Sequence, residues 1–182
     1  HIASVPVEGT PCHFRTCYDV EIHPLQLLDA SLSQPAGRAT AIQLVFELNG
    51  IKASDWRPKG LRFYLSGDYP TATDLYFLLR NHLKSIHIRP RDKGNPVLLP
   101  PECLKPVGFS AREALLPFPS HSFPGYRILQ EYFHLPEKFL FLELTGWEHW
   151  QERGEGSRFE VLFELEDLPF PPPRFRKENF VL

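Results

Sequence analysis

Alternating apolar and polar residues predict most of the strands in this chain. Between residues 41 and 48, apolar side chains alternate with Gln43 and Glu47, which is the period of a half-buried strand. Alternation also predicts strands at 12–22, 61–65 and 159–165, and shorter apolar runs predict strands at 25–32, 86–88 and 139–144. The run at 139–144 indicates a central, largely buried strand.

A helix is predicted over residues 71–84. Thr71 followed by Asp74 resembles a capping box with Asp in place of Glu. Because predicted strands at 61–65 and 86–88 flank the helix, the unit permits either a crossover or an antiparallel return. Its apolar stripe, at helical spacing, is Leu75, Leu78, Leu79 and Leu83.

A second helix is predicted over residues 124–135. Ser122 is a suitable N-cap, Pro124 suits the first turn, and Pro136 forces the stop. The side chains expected on its buried face are Tyr126, Leu129, Tyr132 and Phe133.

The short connection after this helix predicts how it packs. We expect Leu129 and Phe133 to bury against Phe139, Phe141 and the strand at 159–165, since consecutive elements are usually neighbours. Replacing Phe133 with Ala would then cost about 3–5 kcal/mol of stability, the usual range for a buried Phe.

These elements predict an α+β fold with mainly antiparallel sheets and two principal helices. The chain holds 19 Pro and 15 Phe, which favours short elements joined by Pro-rich connections. We divide it into a β-rich lobe at 11–108 and a helix-plus-strands lobe at 109–182, with one continuous domain as the alternative. Residues 1–10 are expected to form a loop or linker.

Composition narrows the classes of function. The formal net charge is −2, which argues against a general nucleic-acid or anionic-membrane binder, because neutralising phosphates requires a basic excess. No apolar run is long enough to span a bilayer, so direct membrane insertion is not expected. The chain has no Met, and we therefore expect it to be an excised piece of a longer polypeptide.

The sequence shows no pattern of residues typical of catalysis or cofactor binding. Nucleotide-binding, zinc-protease and serine-hydrolase motifs are all missing, so we expect no enzyme activity and no cofactor. Cys12, Cys17, His13 and His23 lie close together, but their spacing fits no zinc pattern. The odd count of three Cys indicates free thiols in a reducing compartment.

Two loops carry the candidate protein–protein contacts. The loop at 49–60 and the loop at 146–156 hold the candidates Trp56, Arg57, Trp147, Trp150 and Arg153. Trp and Arg are enriched at binding hot spots, so we expect these side chains to be exposed contacts. Two alternatives remain open: the indoles could cap the edges of the core, or they could be sugar platforms beside Glu148 and Glu152.

Several segments, in order, resemble one protein family. Residues 122–146 read SFPGYRILQEYFHLPEKFLFLELTG, and shorter matches are HFRTCY at 13–18, LRFYLSGD at 61–68 and PVGF at 106–109. They resemble the TssF family, also called ImpG or VasA, of bacterial type VI secretion systems. The resemblance runs from about residue 11 to the C-terminus and places the chain in the central portion of a longer family protein.

The resemblance implies a structural role without catalysis. Family proteins build the wedge of a phage-tail-like baseplate, so the implied partners are TssG-like and TssK-like subunits, a second TssF copy, and sheath or spike proteins. The implied location is the bacterial cytoplasm, at a baseplate docked on the inner membrane. Without this resemblance, the alternative function is a carbohydrate- or protein-binding β-rich module.

Overall fold

The computed structural model describes residues 2–14, 20–34, 39–116, 121 and 123–182. Within these residues the α-helices are α1 (Tyr69–Asn81) and α2 (Pro124–His134). The strands are β1 (Ile2–Ala3), β2 (His13–Phe14), β3 (Leu25–Ser33), β4 (Ala41–Leu48), β5 (Leu61–Leu65), β6 (Leu83–Pro90), β7 (Val97–Leu99), β8 (Leu104–Pro106), β9 (Phe141–Leu144), β10 (Arg158–Leu165) and β11 (Phe180–Val181).

The strands form three sheets in which every described pairing is antiparallel. β1 and β2 form a ribbon, a five-stranded sheet has the order β3-β4-β10-β6-β7, and a four-stranded sheet has the order β11-β5-β9-β8. The predicted α+β class is therefore confirmed. β9 lies between β5 and β8, as expected for a central strand.

One hydrophobic core lies between the two larger sheets. Phe63 on β5 faces Phe163 on β10, with ring centroids 6.3 Å apart. Ala72, Leu75 and Leu78 of α1 are buried in the same core. Both sheets combine strands from 11–108 with strands from 109–182, which favours one continuous domain, and the division into two lobes stays a prediction.

Helix α1 starts earlier than the sequence pattern predicts. Its N-cap is Asp68, whose carboxylate accepts a hydrogen bond from the Thr71 backbone N–H at 3.1 Å, so the capping box at Thr71 is wrong. The helix ends at Asn81, and Leu83 lies on β6 instead. Since β5 and β6 belong to different sheets, α1 links the two sheets and is neither a crossover nor a return within one sheet.

The structure describes the predicted strand at 12–22 only at its two ends. Only His13–Phe14 form a strand, and residues 15–19 lie outside the described residues. Val20 and Ile22 are exposed and belong to no strand, so the prediction is wrong for this end of the run. The predicted N-cap of α2, Ser122, also lies outside the described residues.

The predicted packing of α2 is wrong, because the helix faces the opposite way. Leu129 is 54% exposed and Phe133 is 78% exposed, whereas Arg127 and Glu131 are buried. The physical reason is that the charged side chains of the inward face hydrogen-bond to the backbone of residues 110–116 and to the buried ammonium of Lys138.

Candidate protein-interaction site

The two loops predicted to carry contacts lie against each other. The Ala53 backbone N–H donates to the Gly156 carbonyl at 2.9 Å, and the Ser54 N–H donates to the Gly154 carbonyl at 3.2 Å. The structure therefore brings together loop 49–60 and loop 146–156, which are about a hundred residues apart in sequence.

The three tryptophans of these loops point into the core. Trp56, Trp147 and Trp150 are 4%, 0% and 1% exposed. Trp56 lies 5.0 Å from Trp147 in an edge-to-face arrangement, and both Trp56 and Trp150 have ring centroids 5.4 Å from Phe159 of β10. Their predicted exposure is wrong, and their burial agrees with the alternative that the indoles cap the core. No described indole face is open to stack on a sugar.

Local backbone geometry turns the second loop inward. Gly146 has φ +85°, a conformation that favours glycine, and it precedes a short 3-10 helix, Trp147–His149. The Trp147 indole N–H then donates to the Leu144 carbonyl at 2.8 Å, and the Trp150 indole N–H donates to the Asn95 carbonyl at 3.0 Å. Both indoles can therefore be buried without losing their polar hydrogen bonds.

Trp56 differs from the other two tryptophans. Its indole N–H has no hydrogen-bond partner among the described residues. Its ring meets His23 edge to face, with centroids 5.7 Å apart. The Trp56 indole is thus held by ring contacts and burial, while its backbone N–H donates to the Lys52 carbonyl at 3.2 Å.

Arg153 is the centre of this cluster. Its side chain is buried and donates to three backbone carbonyls: Trp150 at 2.7 Å, Trp147 at 2.5 Å, and Trp56. The guanidinium carbon also lies 5.2 Å from the Trp150 ring centroid. Burial, and then the positive charge of Arg57, lowers the pKa of Arg153 to about 10.

Among the five predicted contact residues, Arg57 alone has an exposed side chain. It follows Trp56 in the chain, so the buried indole anchors the loop that presents it. The cluster of Trp56, Trp147, Trp150 and Arg153, which we call the tryptophan cluster, can support a contact surface but cannot itself be the surface.

A second exposed surface was not predicted from the sequence. The outward face of α2 carries Phe123 at its start and then Tyr126, Leu129, Tyr132 and Phe133, all of them exposed. We call these five residues the α2 stripe. Ring contacts within it join Phe123 to Tyr126 at 5.7 Å and Tyr132 to Phe133 at 5.6 Å.

The inward face of α2 carries buried charges. The Glu131 carboxylate accepts hydrogen bonds from the Leu115 and Leu116 backbone N–H groups at 2.8 and 3.0 Å, and from the ammonium of buried Lys138. Burial by itself raises the pKa of Glu131, but these three hydrogen bonds outweigh burial and hold the pKa below its usual value.

Arg127 completes this buried group of charges. Its guanidinium lies 3.4 Å from the carbonyls of Ser110 and Ala111, to which it donates. Arg127 and Glu131 are four residues apart, so they share one helix face. That spacing was the only sequence signal for this arrangement, and it is equally typical of an exposed ion pair.

One half-buried group of side chains on the five-stranded sheet resembles a catalytic triad in composition only. Ser85 Oγ and Glu164 Oε2 lie 3.1 and 2.9 Å from His87, but both contact the same ring nitrogen, Nε2. A relay requires the nucleophile and the carboxylate on different nitrogens. The group is therefore a polar network that ties β6 to β10.

Metal-binding groups and membrane-spanning helices are both missing from the described residues. Among the described residues, no group of three or more His, Cys, Asp or Glu side chains could hold a metal ion. Cys12 is an exposed free thiol, while Cys17 lies outside the described part of the chain. In the same part of the chain, neither helix is long and apolar enough to cross a bilayer.

A groove of about 880 Å³ runs beside β5 and includes none of the five predicted contact residues. Apolar side chains such as Ile22, Leu61 and Phe63 line it, with Glu143 among the polar ones. It borders the tryptophan cluster through His23, whose ring meets Trp56, and it shares no lining residue with the α2 stripe.

One known protein resembles this chain in sequence, and one solved chain resembles it in fold. The type VI secretion system component TssF1 of Pseudomonas aeruginosa is 31% identical over 177 residues, which cover 89% of this chain and 29% of TssF1. A solved chain in a cryo-electron microscopy structure of the type VI secretion system TssK-TssF-TssG baseplate subcomplex matches 96% of this chain with a TM-score of 0.80 and 22% identity. This chain spans about a third of that solved chain.

The family assignment rests on the whole length of the chain. The family model for the type VI secretion system protein TssF matches residues 1–182. The segments quoted above from residues 13–18, 61–68, 106–109 and 122–146 all fall within this match. The chain therefore belongs to the TssF family of the type VI secretion system.

Proposed function

We propose that this chain is part of a structural subunit of a type VI secretion baseplate, in which it serves assembly and not catalysis. The observation that carries the proposal is the family match over all 182 residues. The solved neighbour with the same fold is part of a TssK-TssF-TssG baseplate subcomplex. We therefore propose TssG-like and TssK-like subunits as partners of the full-length protein, with a second TssF copy and sheath or spike proteins as further candidates.

The proposed role of residues 1–182 is that of a rigid spacer with contact loops. Two sheets sharing one core, linked by α1 and closed by the tryptophan cluster, provide the rigidity. Arg57 is the proposed contact residue, since its guanidinium is exposed on loop 49–60 and Arg is favoured at interfaces. Trp56, Trp147, Trp150 and Arg153 contribute indirectly, by holding that loop in place.

The proposed location follows from the proposed assembly. We propose that the full-length protein lies in the bacterial cytoplasm, at a baseplate docked on the inner membrane. No nucleic acid is a proposed partner, because the formal net charge of −2 lacks the basic excess that phosphate contacts require.

Co-purification with a TssG-like subunit tests the proposal. The full-length protein is expected to co-purify with that subunit, and Arg57→Glu is expected to weaken the complex without lowering the thermal unfolding midpoint. Arg174→Glu is the matched control, because Arg174 is also exposed and lies outside both loops. If the unmodified full-length protein does not co-purify, the proposed function is wrong. If the unmodified protein co-purifies and Arg57→Glu co-purifies as well as Arg174→Glu does, the assembly role stands and loop 49–60 is not the contact.

A further inference from the structure

The α2 stripe remains exposed although it is the most apolar surface of the helix. Rotating α2 to bury Leu129 would bring Arg127 and Glu131 outward and break their hydrogen bonds to residues 110–116. It would also leave the ammonium of Lys138 buried without its carboxylate. As long as these contacts of Arg127 and Glu131 are kept, helix α2 cannot rotate, and the α2 stripe faces away from the core.

The spacing within the stripe fits a second helix. Tyr126, Leu129 and Phe133 are three and four residues apart, which is the seam spacing of two helices packed side by side. Leu129 stands between the two aromatic residues in this series.

The charge of this face narrows the chemistry of its occupant. Arg127 and Glu131 are the only Asp, Glu, Lys or Arg residues of α2, and both are buried. His134, at the end of the helix, is exposed. A charged face docked here would lose its hydration without gaining an ion pair. A surface of anionic lipid is equally unsuited, because such helices carry Lys or Arg beside their apolar face.

The size of the face favours an occupant from the same polypeptide. An aromatic side chain offers about 150–250 Å² of contact area, so the five partly exposed side chains of the stripe present roughly 500 Å². Pairing with an equal surface would bury roughly 1,000 Å² in total, which is less than stable complexes between separate proteins need but is typical of contacts between parts of one chain. The relative TssF1 has ample further sequence, since the alignment covers 29% of it.

We propose that the α2 stripe is the docking surface for an uncharged face of an amphipathic helix that belongs to the same full-length polypeptide, outside residues 1–182. The contact orders the full-length protein before it meets any other subunit. It therefore needs no partner protein, and it holds or fails independently of the proposed baseplate function.

Cysteine accessibility in the purified full-length protein tests this proposal. Leu129→Cys places a thiol at the centre of the stripe, and Leu98→Cys places one on β7, where Leu98 is 63% exposed compared with 54% for Leu129. Modification by a small maleimide is followed by mass spectrometry of the peptide that holds each position. Phe133→Cys repeats the test on the same face, and thermal unfolding checks that each variant is folded.

The thiols at positions 129 and 133 are expected to react at least about tenfold more slowly than the thiol at 98, at every protein concentration, which corresponds to a docking free energy of about 1.4 kcal/mol. A photo-crosslinker attached at position 129 is expected to join a peptide of the same polypeptide whose apolar residues recur at helical spacing. Matched control peptides from unirradiated samples identify the crosslinks that depend on light.

Three results would overturn the proposal. Protection that disappears on dilution would assign the stripe to a second copy of the chain. Protection that arises only when a TssG-like or TssK-like subunit is added would assign it to that partner. Equal reactivity at positions 129, 133 and 98 under all of these conditions would show that nothing covers the stripe.

Discussion

The guanidinium of Arg153 donates a hydrogen bond to the backbone carbonyl of Trp56, 97 residues earlier in the chain. This contact joins loop 146–156 to loop 49–60 through a side chain that is only 2% exposed. Two further carbonyls, those of Trp147 and Trp150, accept from the same guanidinium. A single charged residue thus fixes the backbone of all three tryptophans.

Replacing Arg153 should therefore destabilise the fold. Arg153→Met removes the guanidinium donor from the carbonyls of Trp56 and Trp150, at a cost of about 1–3 kcal/mol each, while the Trp147 carbonyl keeps the Trp150 backbone N–H. We expect a total loss of roughly 3–5 kcal/mol in the free energy of unfolding. Chemical denaturation measures this loss. Arg57→Met, an exposed Arg nearby, is the control and should change stability by less than about 0.5 kcal/mol. Equal effects of the two substitutions would contradict the structural role of Arg153.

Trp147 should behave as a core residue. Its side chain is fully buried, so Trp147→Ala should cost about 3–5 kcal/mol of unfolding free energy. Loss of assembly in this variant would then result from unfolding and would not identify a contact. Far-ultraviolet circular dichroism during thermal unfolding measures the effect, and a thermal midpoint equal to that of the unmodified protein would exclude the buried position.

Because Phe133 is exposed, replacing it should have little effect on the stability of residues 1–182. In this chain Phe133→Ala should change the free energy of unfolding by about 0.5 kcal/mol or less, because the ring is already in contact with water. Phe163→Ala, at a fully buried position on β10, should cost about 3–5 kcal/mol. Parallel urea titrations compare the two variants. If Phe133→Ala costs as much as Phe163→Ala, the result would contradict the exposed position and indicate that Phe133 packs against the core.

The buried pair of Glu131 and Lys138 should be sensitive to losing one partner. Glu131→Gln leaves the buried ammonium of Lys138 without its carboxylate, so we expect a loss of roughly 3–5 kcal/mol. The double variant Glu131→Gln with Lys138→Met should lose less than the sum of the single variants. Glu47→Gln, in a partly exposed pair with Arg158, is the control and should cost less than about 1 kcal/mol. Additive losses at Glu131 and Lys138 would show that the pair is not coupled.

Glu164 should make stability depend on pH in the acid range. Hydrogen bonds from Lys84, then His87, lower the pKa of Glu164 from 4.5 to about 2. A lowered pKa contributes stability above the unfolded value, and this contribution is lost as the pH falls from about 4.5 to about 2. Glu164→Gln should therefore be less stable than the unmodified chain at pH 7, by roughly 1–2 kcal/mol after screening of the exposed Lys84.

The measurement for Glu164 is the free energy of unfolding at pH 7 and pH 3. The difference between Glu164→Gln and the unmodified chain should shrink at the lower pH. Glu166→Gln, an exposed neighbour just after β10, serves as control and should show no such change. A difference that is constant across this range would contradict the lowered pKa.

Local sequence patterns predicted the longer strands of the two sheets, whereas the short strands β7, β8 and β11 were not predicted. Residues 41–48, 61–65 and 159–165 alternate because one side of each strand meets the core and the other side is more exposed, and this period depends on the chain alone. The run at 12–22 has the same alternation, yet Val20 and Ile22 pair with no strand. Alternation reports what a strand would bury and cannot report whether a partner strand is present.

Local periodicity was enough to predict the α+β class and the place of both helices, and long motifs within the chain were enough to show its likeness to the TssF family. Tertiary structure decided which way the key side chains point. Helix α2 carries an apolar face and a charged face, and the charged face turns inward because Lys138 and the backbone of residues 110–116 complete its hydrogen bonds there. The tryptophans turn inward because Arg153, distant in sequence from Trp56, meets their carbonyls in the folded protein.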